Sequence, residues 1–163
     1  MVGKLILFFE IFRLNIRSAR IDDIEQLKHF EQGVVEAERP FNQAIRDENV
    51  RYYDLIKLIE EDSSLLLVAE IDGKLIASGY AQIRSSKPQF KHAQHGYLGF
   101  MYVAPYYRGQ GINQKLTEQL TQWLKQQGIE YCYLDVYNDN QAAINAYEKL
   151  GFSANLLEMQ VKI

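Results

Sequence analysis

Cysteine is almost missing from this chain of 163 residues: Cys132 stands alone. One thiol per chain excludes an internal disulfide framework and any zinc site built from several cysteines of one chain. It fits a reducing, cytoplasmic setting. Proline is scarce, with three in all, and no Pro/Gly/Ser-rich linker, repeat or low-complexity run divides the sequence. A single domain over residues 1–163 is expected. A basic excess is lacking too: 18 Lys and Arg face 21 Asp and Glu, for a net charge of −3. That argues against a nucleic-acid partner held by a general basic surface. Long apolar runs are also absent. Residues 5–9 are apolar, but Glu10 ends the run well short of a membrane-spanning length, and no small-residue cleavage site follows. Residues 1–13 are therefore read as an extra packed segment, with no membrane partner.

What is present is the composition of a globular domain, 47% hydrophobic and 24% charged. Strands are expected at residues 14–19, 64–70, 74–84, 97–103, 131–137 and 156–163. Asp72-Gly73 between the second and third marks a tight hairpin. Asp22 with Glu25 reads as a capping box for a first helix, whose buried face carries Ile24, Leu27 and Phe30. A second helix is expected at 48–60, after an acidic irregular stretch at 31–47 around Pro40. Ile112, Leu116, Leu120 and Leu124 recur at i+4 and predict a helix over 112–127, with Gly128 at its C-terminal cap. A last helix covers 141–150. The order β-α-α-β-β-β-α-β-α-β implies a mixed sheet with helices on its faces.

The segment Arg108-Gly109-Gln110-Gly111-Ile112-Asn113 lies between the strand at 97–103 and the helix at 112–127. Two glycines let backbone N–H groups approach an anion, and the helix start turns its unpaired N–H groups and positive dipole end to the same point. This is a phosphate-binding corner. A Walker A loop would end in Gly-Lys-Ser/Thr, which is absent. A dinucleotide fingerprint needs a third glycine where Gln114 stands, and its glycines directly follow the strand, whereas 104–108 intervene here. Asp135 lies near the distance of that fingerprint's acidic residue. A dinucleotide-dependent oxidoreductase thus stays as a minor reading.

Val103-x-Pro105-x-x-Arg108-Gly109-x-Gly111-Ile112 resembles the acyl-CoA loop of the GNAT (Gcn5-related N-acetyltransferase) superfamily. Leu134-Asp135-Val136-Tyr137-Asn138-Asp139-Asn140, followed by Ala143-Ile144-x-x-Tyr147-Glu148-Lys149-Leu150-Gly151-Phe152, resembles its second signature, in the expected order and separation. The resemblance is strong over 64–152 and extends toward residue 14. One departure stands out: the loop's final Gly/Ala is Asn113 here.

The resemblance implies an α+β fold, with a mostly antiparallel sheet, splayed central strands and about four flanking helices. It implies acetyl-CoA as acyl donor, with its pantetheine arm along Met101, Tyr102 and Val103. The diphosphate would rest on the backbone of Gly109, Gln110, Gly111, Ile112, Asn113 and Gln114. Arg108 would add charge and Asn140 a cofactor contact, although Arg108 also reads as a solvated surface residue and Asn140 as a helix N-cap. Tyr147 matches the family's general acid; it also sits at packing spacing with Ala143 and Leu150. No Glu precedes Val103, so the base stays open among Asp135, His92, His95 and water. His92-x-x-His95 lacks an evident third ligand and gives no metal site. The expected activity is acetyl transfer to a primary amine of a small molecule or protein. The alternative is an inactive acyl-CoA-binding module. Dimers are frequent in the family, which makes a homodimer an expectation as well.

Overall fold

The computed structural model describes residues 14–163; the expected extra segment at 1–13 lies outside the described residues. Five strands, β1 Leu14–Ser18, β2 Ser64–Ile71, β3 Lys74–Ser85, β4 Gln94–Val103 and β5 Cys132–Tyr133, lie side by side in chain order. The first four pair antiparallel, and β5 runs parallel to β4. Four α-helices flank the sheet: α1 Ile24–Glu38, α2 Leu55–Glu60, α3 Ile112–Gln126 and α4 Gln141–Glu148. The expected mixed, mostly antiparallel α+β architecture is what the chain adopts.

Alternation along the strands divides the core in two. Leu66, Val68, Tyr80 and Phe100 meet Leu27 and Phe30 of α1 and Leu55 and Leu58 of α2. Leu67, Ala69, Ile76, Ala81 and Leu98 meet Ile112, Leu116, Leu120 and Leu124 of α3 on the other face. The i+4 stripe of α3 is fully buried, as its spacing requires. Asp72 (φ 51°) and Gly73 (φ 76°) form the β2–β3 turn, both in the left-handed region that this hairpin type demands.

Several boundaries differ from the sequence reading, each for a local reason. The first helix continues to Glu38 instead of dissolving after residue 30, because Val35 is fully buried and Glu31 turns inward. The Glu31 carboxylate accepts the N–H groups of Tyr52 (2.6 Å) and Tyr53 (2.9 Å). Those bonds tie Tyr52 and Tyr53 to α1 and Asp54 is extended, so α2 starts only at Leu55, with Asp54 accepting from Lys57 N–H at 3.1 Å. The capping box moves as well: Asp23, not Asp22, accepts the Arg20 N–H at 2.7 Å, and Glu25 pairs with Lys28. The strand expected at 131–137 shrinks to two residues, and the one expected at 156–163 does not form among the described residues.

The shortening of β5 follows from a bulge in β4. Ser78 pairs with Tyr102 and Tyr80 with Gly99, so Phe100 and Met101 together oppose Gly79. Phe100 takes φ 54°, unusual for a bulky residue. The buried Ser78 hydroxyl donates to the Phe100 carbonyl at 3.2 Å and fixes the kink. Pairing between β4 and β5 ends at Tyr97 with Tyr133. Beyond that pair the two strands part, and among the described residues the edge of β4 from Leu98 to Val103 has no neighbouring strand on that side.

Candidate active site

The gap between β4 and the run 134–137 opens toward the start of α3. The loop between is short: a 3-10 turn Pro105–Tyr107, then Arg108 to Gly111. Gly109 (φ 74°) and Gly111 (φ 76°) both adopt the left-handed conformation, which a side chain at either position would strain. Gly111 is the N-cap of α3 and supplies no side-chain cap. Asp54 and Asn140 cap α2 and α4 with their side chains, by contrast. The first intrahelical bond of α3 is Lys115 N–H to the Gly111 carbonyl, at 3.1 Å. The N–H groups of Ile112, Asn113 and Gln114 are therefore left without intrahelical acceptors, at the positive end of a fifteen-residue helix. That donor set fits the diphosphate of a CoA ester.

The neighbouring side chains leave this mouth open. Gln110 donates to the Tyr106 carbonyl at 3.3 Å and Gln114 to Glu118 at 2.8 Å. Arg108 lies back over the strand end and donates from Nε to the Val103 carbonyl at 3.0 Å. Met101 and Val103 pack toward α3, whereas Tyr102 packs toward α1 and stacks on Phe30 at 4.7 Å between ring centroids. Asn140 accepts the Ala143 N–H at 3.2 Å and so serves as the N-cap that its position predicts.

Tyr147, on α4, reaches the same mouth. Burial pushes its phenol up to about 12, against a hydrogen bond donated by the Asn113 side chain, which favours the phenolate. Its ring meets Phe152 edge-on at 5.7 Å. The departure at Asn113 thus has a partner in the structure: the residue beside the helix mouth touches the expected acid.

On the α1 side of the gap the strands part beside a polar cluster. Tyr97 donates its hydroxyl to Asp135 at 2.9 Å, and Arg84 stacks its guanidinium over the Tyr97 ring at 3.7 Å. Burial first, then the Asp135 carboxylate, raise the Tyr97 phenol well above its ordinary value. Further out, the Ser86 hydroxyl lies 2.7 Å from His92 Nδ1 and 2.9 Å from His95 Nδ1, and His92 Nε2 lies 3.2 Å from the Tyr133 hydroxyl. Burial, with His92 and Arg84 nearby, lowers the His95 pKa. Among the described residues no three His, Cys, Asp or Glu side chains come together as metal ligands.

Sequence reasoning did not foresee two contacts. Tyr53 stacks on Phe100 at 4.5 Å and braces the bulge, and Glu38, its carboxyl raised by burial, accepts from Tyr52. Spacing carried no signal for either, because both depend on the stretch that Glu31 ties down.

The model of the acetyltransferase (GNAT) family matches residues 25–152, most of the chain. The chain belongs to that family. Acetyl transfer from acetyl-CoA is the chemistry this membership assigns to it. An N-alpha-acetyltransferase of Sulfurisphaera tokodaii is 28% identical over 142 residues, 84% of this chain and 78% of that protein. A relative from Arabidopsis thaliana bearing an N-acetyltransferase name is 44% identical over 52 residues, 31% of this chain and only 13% of that protein. The crystal structure of a predicted acetyltransferase from Clostridium acetobutylicum with acetyl-CoA superposes with a TM-score of 0.72 at 19% identity, over 91% of this chain and 96% of that one.

Proposed function

We propose that this protein is an N-acetyltransferase that passes the acetyl group of acetyl-CoA directly to a primary amine of a small molecule or a protein. The observation that carries the reading is the uncapped, glycine-led N-terminus of α3 opening onto the parted edge of β4. The N–H groups from Gly109 to Gln114 hold the diphosphate. The free edge of β4 from Met101 to Val103 offers backbone partners to the pantetheine amides and an N–H donor to the thioester oxygen. Asn140 and Arg108 flank the arm. The donor supplies an activated acyl carbon.

The chain's own groups move the protons. A lysine-like amine has a pKa of about 10.4, so roughly one in a few thousand is neutral at pH 7. Asp135 receives the amine proton. It projects where β4 and β5 part, and Tyr97 holds it in place. The nitrogen lone pair then forms the N–C bond while the C–S bond breaks; the departing thiolate takes the Tyr147 proton, and the extra proton on the acylated nitrogen restores the Tyr147 phenol, leaving a neutral amide and a free thiol. The burial that raises the phenol raises a thiolate in the same dry gap, which keeps the transfer near balance. Glu38 and Asp135 give the acceptor side a negative character that suits a cationic amine.

Thiol release measured over an amine panel, with calorimetry of acetyl-CoA binding, tests the reading. Turnover that falls on Tyr147→Phe while binding persists is expected. Tight acetyl-CoA binding with no turnover on any amine would instead mark a binding module. We also take the protein to be cytoplasmic and homodimeric. The lone, partly buried Cys132 supports the first; an exposed apolar strand-like segment supports the second. No described helix is long and apolar enough to cross a membrane.

A further inference from the structure

Among the described residues five carboxylates are withdrawn from solvent: Asp23, Glu31, Glu38, Glu61 and Glu70. Four of them hold a cation. Arg17 serves Asp23 and Glu70, Arg51 serves Glu31, and Lys57 serves Glu61. Glu38, the last residue of α1, has none among the described residues; it accepts only from the Tyr52 hydroxyl. Its chain neighbour Arg39 is engaged elsewhere. Arg39 donates to Glu36 at 2.8 Å and to the carbonyls of Arg46 and Asp47 at 2.8 and 3.0 Å. A half-buried carboxylate without a counter-charge is costly unless a ligand supplies one. Burial accordingly raises this carboxyl.

Aromatic rings share the same corner. The 3-10 turn Arg39–Phe41 that follows α1 lays Phe41 on Tyr137, with ring centroids 6.1 Å apart and planes 19° from parallel. The next residue, Asn42, donates its side-chain amide to the Tyr137 hydroxyl at 3.1 Å. Burial, then the Glu38 carboxylate, then Tyr137 raise the Tyr52 phenol, which sets that ring between the two. Three rings beside one carboxylate suit an alkylammonium group, held by charge and by ring faces together. Tyr137 belongs to the wall of the gap. It stands two residues beyond Asp135 on the same face, roughly 7 Å along an extended run. The Asn42–Tyr137 bond ties the turn to that wall and partly covers the acceptor side, which favours a small acceptor over a polypeptide.

We infer that Glu38, with Phe41, Tyr52 and Tyr137, binds a second ammonium group of the acceptor, and that the substrate is a small aliphatic diamine. The inference rests on the acetyl-transfer reading above and names its substrate class. One nitrogen gives its proton to Asp135 and takes the acetyl group. The other keeps its charge and stays against Glu38, so the carbon chain between them sets which diamine reaches the thioester. The span from Asp135 to Tyr137 is one that an alkyl chain of a few carbons covers. Glu38 is thereby a specificity-determining residue: it discriminates between amines by a charge remote from the bond that forms.

Acetyl transfer to the linear α,ω-diamines from propane to hexane, each beside the monoamine of the same carbon count, tests this. The preferred diamine should exceed its monoamine in kcat/KM by at least about tenfold, carried by KM rather than kcat. Glu38→Gln, which keeps an acceptor for Tyr52, should bring that ratio near one. A ratio near one in the unaltered protein, or one that Glu38→Gln leaves unmoved, overturns the inference. So does a short basic peptide acetylated faster than every diamine. Turnover on no amine at all sinks the acetyl-transfer reading instead. Calorimetry of the same pairs on the CoA-bound protein then decides the second subsite: the diamine should bind at least about tenfold tighter than its monoamine, and equal binding overturns it. Should Glu38→Gln lose the native circular dichroism spectrum, Phe41→Leu takes its place, and a ratio that it does not lower overturns the inference.

Discussion

The Ser78 hydroxyl and the Phe100 carbonyl, 3.2 Å apart in the middle of the sheet, hold the bend that opens the site. Phe100 sits at φ 54°, a conformation costing roughly 1–3 kcal/mol for such a residue. Only bonds and packing made in the bent form offset that cost. The Ser78 hydroxyl supplies one, and the Tyr53 ring on Phe100 supplies another. Ser78→Ala removes the donor and leaves a buried carbonyl short of a partner, at about 1–2 kcal/mol. We expect a Tm lower by roughly 2–8 °C. The kcat should fall by more than KM rises, because in the proposed reaction the bent β4 edge is what meets the reacting group. Thermal denaturation and steady-state kinetics of the same preparation check both.

The sheet, the hairpin and α3 were legible in the sequence because each rests on a local signal. Asp72-Gly73 specifies its own turn, and the i+4 leucines of α3 need only one apolar wall. The glycine-led start of α3 was legible for the same reason, since Gly109, Gly111 and the helix start adjoin in the chain. What could not be read depends on distant partners. Glu31 looks like loop charge until its carboxylate meets the Tyr52 and Tyr53 N–H groups some twenty residues on. The apolar alternation at 156–163 promised a strand, but alternation cannot supply the neighbouring edge. The contact between Asn113 and Tyr147 joins two helices and is marked by neither motif alone.

Glu31 makes a second prediction. The side chain is 1% exposed and accepts from two backbone N–H groups and from Arg51 at 3.0 Å. Glu31→Ala leaves those buried N–H groups unpaired, at about 3 kcal/mol. The Tm should drop by roughly 6–12 °C. Faster amide exchange at Tyr52 and Tyr53 should accompany it, and hydrogen exchange read by mass spectrometry would show whether the loss is confined to that segment.

Acid should weaken the fold at the other end of the sheet. Arg17 donates two bonds to Asp23, at 2.8 and 3.0 Å, and holds its carboxyl below the ordinary carboxylate value. A carboxylate depressed in the folded state stabilises the fold above its unfolded pKa, about 3.9, and loses that contribution as pH falls through the folded value. Denaturant midpoints should therefore decline below about pH 4. In Asp23→Asn the midpoint should be lower at pH 7 and the decline shallower. Equal slopes in the two proteins would remove Asp23 from the account.

Tyr147 and Asn113 give the most discriminating test of the chemistry. Burial raises the phenol to about 12, and the Asn113 amide, by favouring the phenolate, keeps it from rising further. The acid form therefore persists across the whole practical range, and the rate should show no loss to Tyr147 ionisation below about pH 10. Tyr147→Phe should lower kcat by roughly 10²–10⁴-fold with acetyl-CoA affinity little changed. Asn113→Ala removes a bond worth about 1 kcal/mol, so kcat should fall about fivefold and any alkaline limb should move upward, since the phenol pKa rises. In the Tyr147→Phe background the same substitution should add nothing, as expected for two residues acting through one hydroxyl. An equal loss in both backgrounds would mean that Asn113 serves only the backbone at the helix mouth.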